Sequence, residues 1–345
     1  MRNFVATLLC ACCSAFAQGT LSGPSLGVIY DAAAQAIRPL LGIPGSSSVG
    51  KNIDTGFAIT AAAISPAQDY ALAVAAGGSL KLLIFNAGGA SIQNVNSAAT
   101  PDRMTLSPSG VSAILYYKSS ASLQVITGLP GAMKVGPTVD VSTLPKTPDV
   151  LAISDDAAVL LAAVDLSSRR PVRRSAASRS GETNGEVFLV AQNGNAPRAI
   201  RRVAHASAIA FFRNSHDAVV ADDVTASVTR LNDAGGASAA AWTFANASLP
   251  SPDSVQVSSD GKNILAGSSK GQVLAMMDSA GANPGFVACS CAPTEVRPLA
   301  VAAVYQVTEA NSGLLWILDG NPQNPRVLFV PVPSGTTAAI GSEQQ

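Results

Sequence analysis

The stretch Leu106-Ser107-Pro108-Ser109-Gly110-Val111-Ser112-Ala113-Ile114-Leu115 decides the reading of this chain. An apolar run enters a Ser-Pro-Ser-Gly turn and a second apolar run leaves it. Proline presets φ near the value a turn needs and glycine closes the turn by tolerating positive φ, so the unit reads as a β-hairpin. It stands again at Ala63–Leu72, Ile153–Leu160 and Val257–Leu265, each around a turn serine, and in degraded form at Phe211–Val219. From Ser65 through Ser107, Ser154, Phe212 and Ser258 the steps are 42, 47, 58 and 46 residues. A period of roughly 40–50 residues belongs to an array of four-stranded units.

After each such hairpin comes a second one, opened by glycine or another small residue: Gly78–Phe85, Gly185–Val190, Gly271–Asp278, and Gly313–Gly320 returning through Arg326–Val330. The N-terminal segment Gly27–Asp31, returning through Ile37–Gly42, has the same shape. Seven second hairpins and six first ones leave an odd half-unit at the N-terminus. A closed ring needs that offset if the N- and C-terminal segments are to pair in one blade. Short alternating strands of Ala, Val, Leu and Ile argue against helical solenoids. The expectation is an all-β fold, a β-propeller of seven blades, with six blades and an N-terminal extension as the rival.

These units resemble the YVTN- and WD40-like propeller superfamily, in its divergent secreted bacterial form, over nearly all of residues 24–333. No Trp-Asp dipeptide or Tyr-Val-Thr-Asn signature accompanies them. The resemblance implies an interaction scaffold in most cases and an enzyme in some, and it transfers no catalytic residue.

Composition narrows the function classes. Of 345 residues 48% are apolar and 13% charged, and 22 basic residues balance 22 acidic ones, so no global field favours nucleic acid. Met1-Arg2-Asn3, the apolar run Phe4–Ala17 and its Ala15-Phe16-Ala17 ending read as a cleaved signal peptide, residues 1–17. A lipoprotein box at Leu9–Cys12 is the minor alternative. The mature chain is then expected to be periplasmic or secreted, without a transmembrane segment. It is expected to be a single propeller domain over 18–335, with a basic loop inserted at 166–182, a tail at 336–345, and a monomeric state. Cys289 and Cys291, two apart on an extended strand, share a face; a local structural disulfide or two free thiols are the alternatives.

Four features carry candidate chemistry. Gly45-Ser46-Ser47-Ser48-Val49-Gly50-Lys51 has phosphate-loop spacing, but Asn52 replaces the Ser or Thr that magnesium requires, and no helix follows. It is expected to be a connector between blades. Arg169, Arg170, Arg173, Arg174 and Arg179 fall within eleven residues, either a site for an acidic partner, an anionic glycan or the envelope surface, or a solvated loop. Asp102, Asp149 and Asp253 each follow a proline and stand five residues before a turn serine, so they share one place in their blades. They form a candidate rim around the channel mouth for a divalent cation such as calcium or a polar ligand, against the plainer reading of Pro-Asp as turn chemistry. His205 aligns one position before that proline and joins the candidate rim, with a bystander role as its alternative; His216 is expected to be solvated. Trp242 and Trp316 are expected to pack between blades.

No nucleophile elbow or zinc-helix motif is present. The functional expectation is a non-catalytic scaffold for a protein or glycan partner, with no cofactor predicted. The alternative is a propeller enzyme, lactonase-like or a quinone-dependent dehydrogenase, with a metal or cofactor at the channel mouth.

Overall fold

The turn serines explain why the repeat is spelled as it is. In the computed structural model the hydroxyls of Ser65, Ser107, Ser154 and Ser258 accept the backbone N–H five residues on, from Tyr70, Ser112, Val159 and Asn263. Each serine N–H also donates to the carbonyl of that same residue at 2.9 Å. In the degraded copy Phe212 keeps the backbone bond, to Asp217, and has no hydroxyl to give. The serine thus ties a four-residue turn at both backbone groups that the hairpin leaves open.

Residues 23–86, 89–167, 184–192, 195–236, 239–310 and 314–332 are described. They form seven antiparallel sheets in chain order. Blade 1 has three strands, Ser25–Asp31, Ala36–Ile43 and Ser46–Val49. Blades 2 to 7 have four, beginning at the inner strands Ile59–Ile64, Arg103–Leu106, Val150–Ile153, Ala206–Phe211, Ser254–Val257 and Arg297–Pro298. This is a seven-bladed β-propeller. The phosphate-loop look-alike is not a connector: Ser46–Val49 pairs with Leu40–Ile43 as the outer strand of blade 1.

The core is a set of seven apolar layers, one between each pair of adjacent blades. Successive strand residues point to opposite faces. Ile114 and Tyr116 therefore pack toward blade 4, while Ala113, Leu115 and Tyr117 pack toward blade 2. Both faces of every sheet are covered, so second strands such as Tyr70–Ala75 and Ser112–Tyr117 are buried at every position and read as unbroken apolar runs. Trp242 and Trp316 sit in the layers between blades 5 and 6 and blades 6 and 7, as expected.

The expected pairing of N- and C-terminal segments in one blade is not seen among the described residues of blade 1. Its described strands all come from the N-terminal segment, and none from the C-terminal end pairs with them. Residues 1–22, which include the segment expected to be a signal peptide, and 333–345 lie outside the described residues. Strand Ser25–Asp31 occupies the place of a second strand, and its inner edge is served from both neighbours. Leu26 O accepts the Ala300 N–H of blade 7 at 2.8 Å. Val28 N–H donates to Gln68 Oε1 at 2.7 Å, and Gln68 Nε2 donates to Pro298 O at 3.0 Å. One buried glutamine in the blade 2 turn therefore joins blades 1, 2 and 7. The apolar layer of Leu26, Ile29 and Leu40 against Leu299, Leu315 and Val330 completes the contact between first and last blades.

Candidate functional site

Antiparallel order puts two kinds of loop on each face of the ring. The inlet loops, which lead from one blade's outer strand to the next blade's inner strand, share a face with the turns between second and third strands. The turn serines lie on the opposite face. Asp102, Asp149 and Asp253 are all on the inlet face, each the first residue of its hairpin ladder: their N–H groups donate to Tyr116, Ala163 and Gly267 O, each at 2.8 Å.

Their carboxylates share a local task. Asp102 accepts the Lys118 N–H at 2.7 Å, Asp149 the Asp165 N–H at 3.0 Å, and Asp253 the Ser269 N–H at 2.6 Å, each bond spanning 16 residues. Asp253 also accepts the Ser269 hydroxyl. Every one of these aspartates caps the turn between the second and third strands of its own blade. Arg103, beside Asp102, and Ser207, the counterpart of these aspartates in blade 5, reach across to the next blade: Arg103 Nη1 donates to Asp149 O at 2.6 Å, and Ser207 Oγ to Pro252 O at 2.6 Å. The Pro-Asp spacing thus marks a repeated clamp of inlet loop to turn.

His205 stands apart from that pattern. Its Nδ1 lies 2.7 Å from Asp223 Oδ1, across the blade 5 turn. Partial burial of the ring opposes its charge, but the hydrogen bond and charge of Asp223, with the charges of Asp165 and Asp149, outweigh burial and raise its pKa. Of the residues singled out in the sequence, the fold therefore brings His205 and Asp149 near one another, while Asp102 and Asp253 are held by bonds within blades 3 and 6. Asp165 and Asp223 were missed; both hold the place 16 residues after an inlet aspartate or its counterpart, which the repeat spacing could have revealed. Among the described residues no group of three or more His, Cys, Asp or Glu side chains is arranged to hold a metal ion.

A cleft of about 400 Å³ lined by Lys146, Thr147, Asp149, Asp165 and Ser167 lies on this face. Burial works to raise the Asp165 pKa, but bonds from the Ser167 hydroxyl and N–H, with His205 and Lys146 nearby, hold it below the usual range. Ser167, the last described residue before the basic segment, lies on the inlet face. Arg169, Arg170, Arg173, Arg174 and Arg179 lie outside the described residues. On the outer strand beside it, Arg202 pairs with Glu186 at 3.3 Å and Arg198 donates to Gly236 O at 3.1 Å.

The opposite face carries inter-blade polar contacts that the sequence did not disclose. Buried Asp155 accepts the Ser109 N–H and hydroxyl from blade 3 and the Asn214 N–H from blade 5. His216, expected to be solvated, lies with Nε2 2.9 Å from Asp156 Oδ2 and ties blade 5 to blade 4. Cys289 and Cys291 are joined as a disulfide, with Cα atoms 4.9 Å apart, and are buried against blade 7.

No family model and no curated protein matches the chain. Among solved structures it is similar to a functionally unknown protein from Desulfotomaculum acetoxidans DSM 771. That match has 12% identity and a TM-score of 0.55, and covers 90% of this chain and all of the other. The likeness is one of fold, and a propeller carries no activity by itself.

Proposed function

We propose that this protein is an exported, non-catalytic propeller of the YVTN- and WD40-like kind that acts as a binding scaffold for a protein or glycan partner through its inlet face. One observation carries the reading. The inlet carboxylates are spent on holding their own turns, which makes that face a fixed platform, and the arginine-rich segment of the sequence follows Ser167 on that face. Loops on a rigid scaffold are where recognition is concentrated in folded proteins. The arginine forks of the insertion suit carboxylates or sulfates on the partner.

Site-specific photo-crosslinking in the producing cell tests this. A crosslinker at Lys118 or Lys270, on the inlet face, captures the same discrete partner, and one at Lys262 or Asn283, on the opposite face, does not. Deleting residues 168–180 abolishes capture. Equal capture from both faces, or capture that survives the deletion, would refute the proposal.

A further inference from the structure

Blade 1 has three described strands where each of the other six blades has four. The place left empty is the innermost, because Ser25–Asp31 stands where second strands stand. The backbone shows the edge such a strand would pair. Pro39 and Ile37, opposite Val28 and Tyr30, give their carbonyls to the Gly50 and Ile53 N–H groups on the outer side, each at 2.8 Å. Residues facing one another in an antiparallel ladder either exchange both bonds or turn both away. The N–H and C=O groups of Val28 and Tyr30 therefore point inward. Gln68 takes the Val28 N–H. The Val28 carbonyl and both backbone groups of Tyr30 lie along an edge that no described strand pairs. An open edge of this kind is a template for a further strand.

The chain ahead of Ser25 does not turn back to fill it: Pro24 O accepts the Gly42 N–H at 2.7 Å, so the backbone runs straight on past the ladder. The other end of the chain is better placed. Inner strands start on the inlet face, and the outer strand of blade 7, Arg326–Pro331, ends on it. Beyond it comes Thr336-Thr337-Ala338-Ala339-Ile340, outside the described residues. That segment matches Thr60-Ala61-Ala62-Ala63-Ile64 of the blade 2 inner strand at four of five positions. Residues 332–335, four in number, separate it from Pro331. Elsewhere the join from an outer strand to the next inner strand takes two residues at its shortest, between Val203 and Ala206, and nine at its longest, as between Asp140 and Val150. Four falls inside that range, and Pro333-Ser334-Gly335 is turn-forming chemistry.

We propose that Thr336–Ile340 is the inner strand of blade 1, docked antiparallel on Ser25–Asp31. It bonds to both backbone groups of Tyr30 and to the Val28 carbonyl, while Gln68 keeps the Val28 N–H. The open edge is thus a strand-acceptor site for a segment of the same chain. The site does not depend on the proposed partner surface.

Backbone amide exchange on the full chain is the test, read at Tyr30. Its N–H exchanges about tenfold more slowly, or slower still, than in a chain ending at Gly335. The truncated chain melts about 4 °C lower or more. Neighbouring strand residues donate to opposite sides, so the double variant Ala338→Pro with Ala339→Pro removes a ladder donor in either register and has the effect of truncation. Glu343→Ala, beyond the strand, has none. A synthetic peptide of residues 332–345 added to the truncated chain restores protection at Tyr30, and the same peptide with both prolines does not. Val28, held by Gln68, stays protected throughout, which verifies that each variant is folded. Deleting residues 168–180 changes nothing at Tyr30, which separates this site from the partner surface. A Tyr30 amide that exchanges as fast in the full chain as in the truncated one would overturn the proposal. So would protection that is lost on dilution, since the occupant would then be the tail of a second copy.

Discussion

Replacing Gln68 with alanine tests the account of ring closure most directly. Gln68 is only 9% exposed, and its amide is the partner of two backbone groups, Val28 N–H and Pro298 O. Truncation removes both bonds and leaves a void between blades 1, 2 and 7. Each buried group left unpaired costs about 1–3 kcal/mol, so the pair is worth about 2–6 kcal/mol, and about 2–5 once water entering the void restores part of it. Alanine keeps a Cβ, so the backbone at φ +63° costs both residues alike, and the difference reports the side chain. With about 2–4 °C of melting temperature per kcal/mol in chains of 150–250 residues, and somewhat less in this longer one, the expected drop is about 4–10 °C. The assay is thermal unfolding by circular dichroism, with Gln323→Ala, at an exposed position, as the control. Amide exchange at Val28 accelerates in the variant. A shift no larger than the control's, with Val28 still protected, would show that Gln68 does not hold the first blade to the last.

Three further outcomes follow from the geometry. Asp253→Ala removes the acceptor of the Ser269 N–H and hydroxyl and lowers stability by about 1 kcal/mol; if its role is this cap, millimolar calcium or chelator shifts neither protein's melting, and a calcium-dependent shift lost in the variant would restore the metal-rim reading. The His205 proton is held more tightly in the folded chain than in the unfolded one. Stabilisation from the His205–Asp223 pair is therefore complete below about pH 6 and fades as pH rises through the raised pKa. The melting difference between wild type and Asp223→Asn narrows accordingly, and the variant's imidazole titrates at lower pH by NMR; a difference that widens with pH refutes this. A Cβ on Gly281 would lie 2.7 Å from the Trp242 ring at a residue with φ +76°, so Gly281→Ala destabilises and shifts the tryptophan emission, whereas Gly131→Ala, with open space around its Cβ position, does neither.

Much of the fold was legible because its determinants are short-range. A serine whose hydroxyl and N–H both bond five residues on must recur wherever that turn recurs, so Ser65, Ser107, Ser154 and Ser258 mark the blades. The alignment also put Asp102, Asp149 and Asp253 at one structural position. Their purpose was harder to read, because a carboxylate after proline has the same spelling whether it caps a turn or faces a ligand. Only the partner 16 residues away distinguishes the two. The connector expected at Gly45–Lys51 failed for a related reason: three serines and a valine have no apolar alternation to announce an edge strand, and pairing with Leu40–Ile43 supplied what the pattern lacked.

Sequence alone determined the strand periodicity and the turn chemistry and narrowed the blades to seven or six, since each depends on residues a few positions apart. Tertiary structure decided how the ring closes and which polar groups meet. Gln68 reaches a carbonyl 230 residues away, and Asp155 joins blades 3, 4 and 5. Such contacts depend on the angle at which one sheet follows another around the axis, and no local spacing encodes that angle.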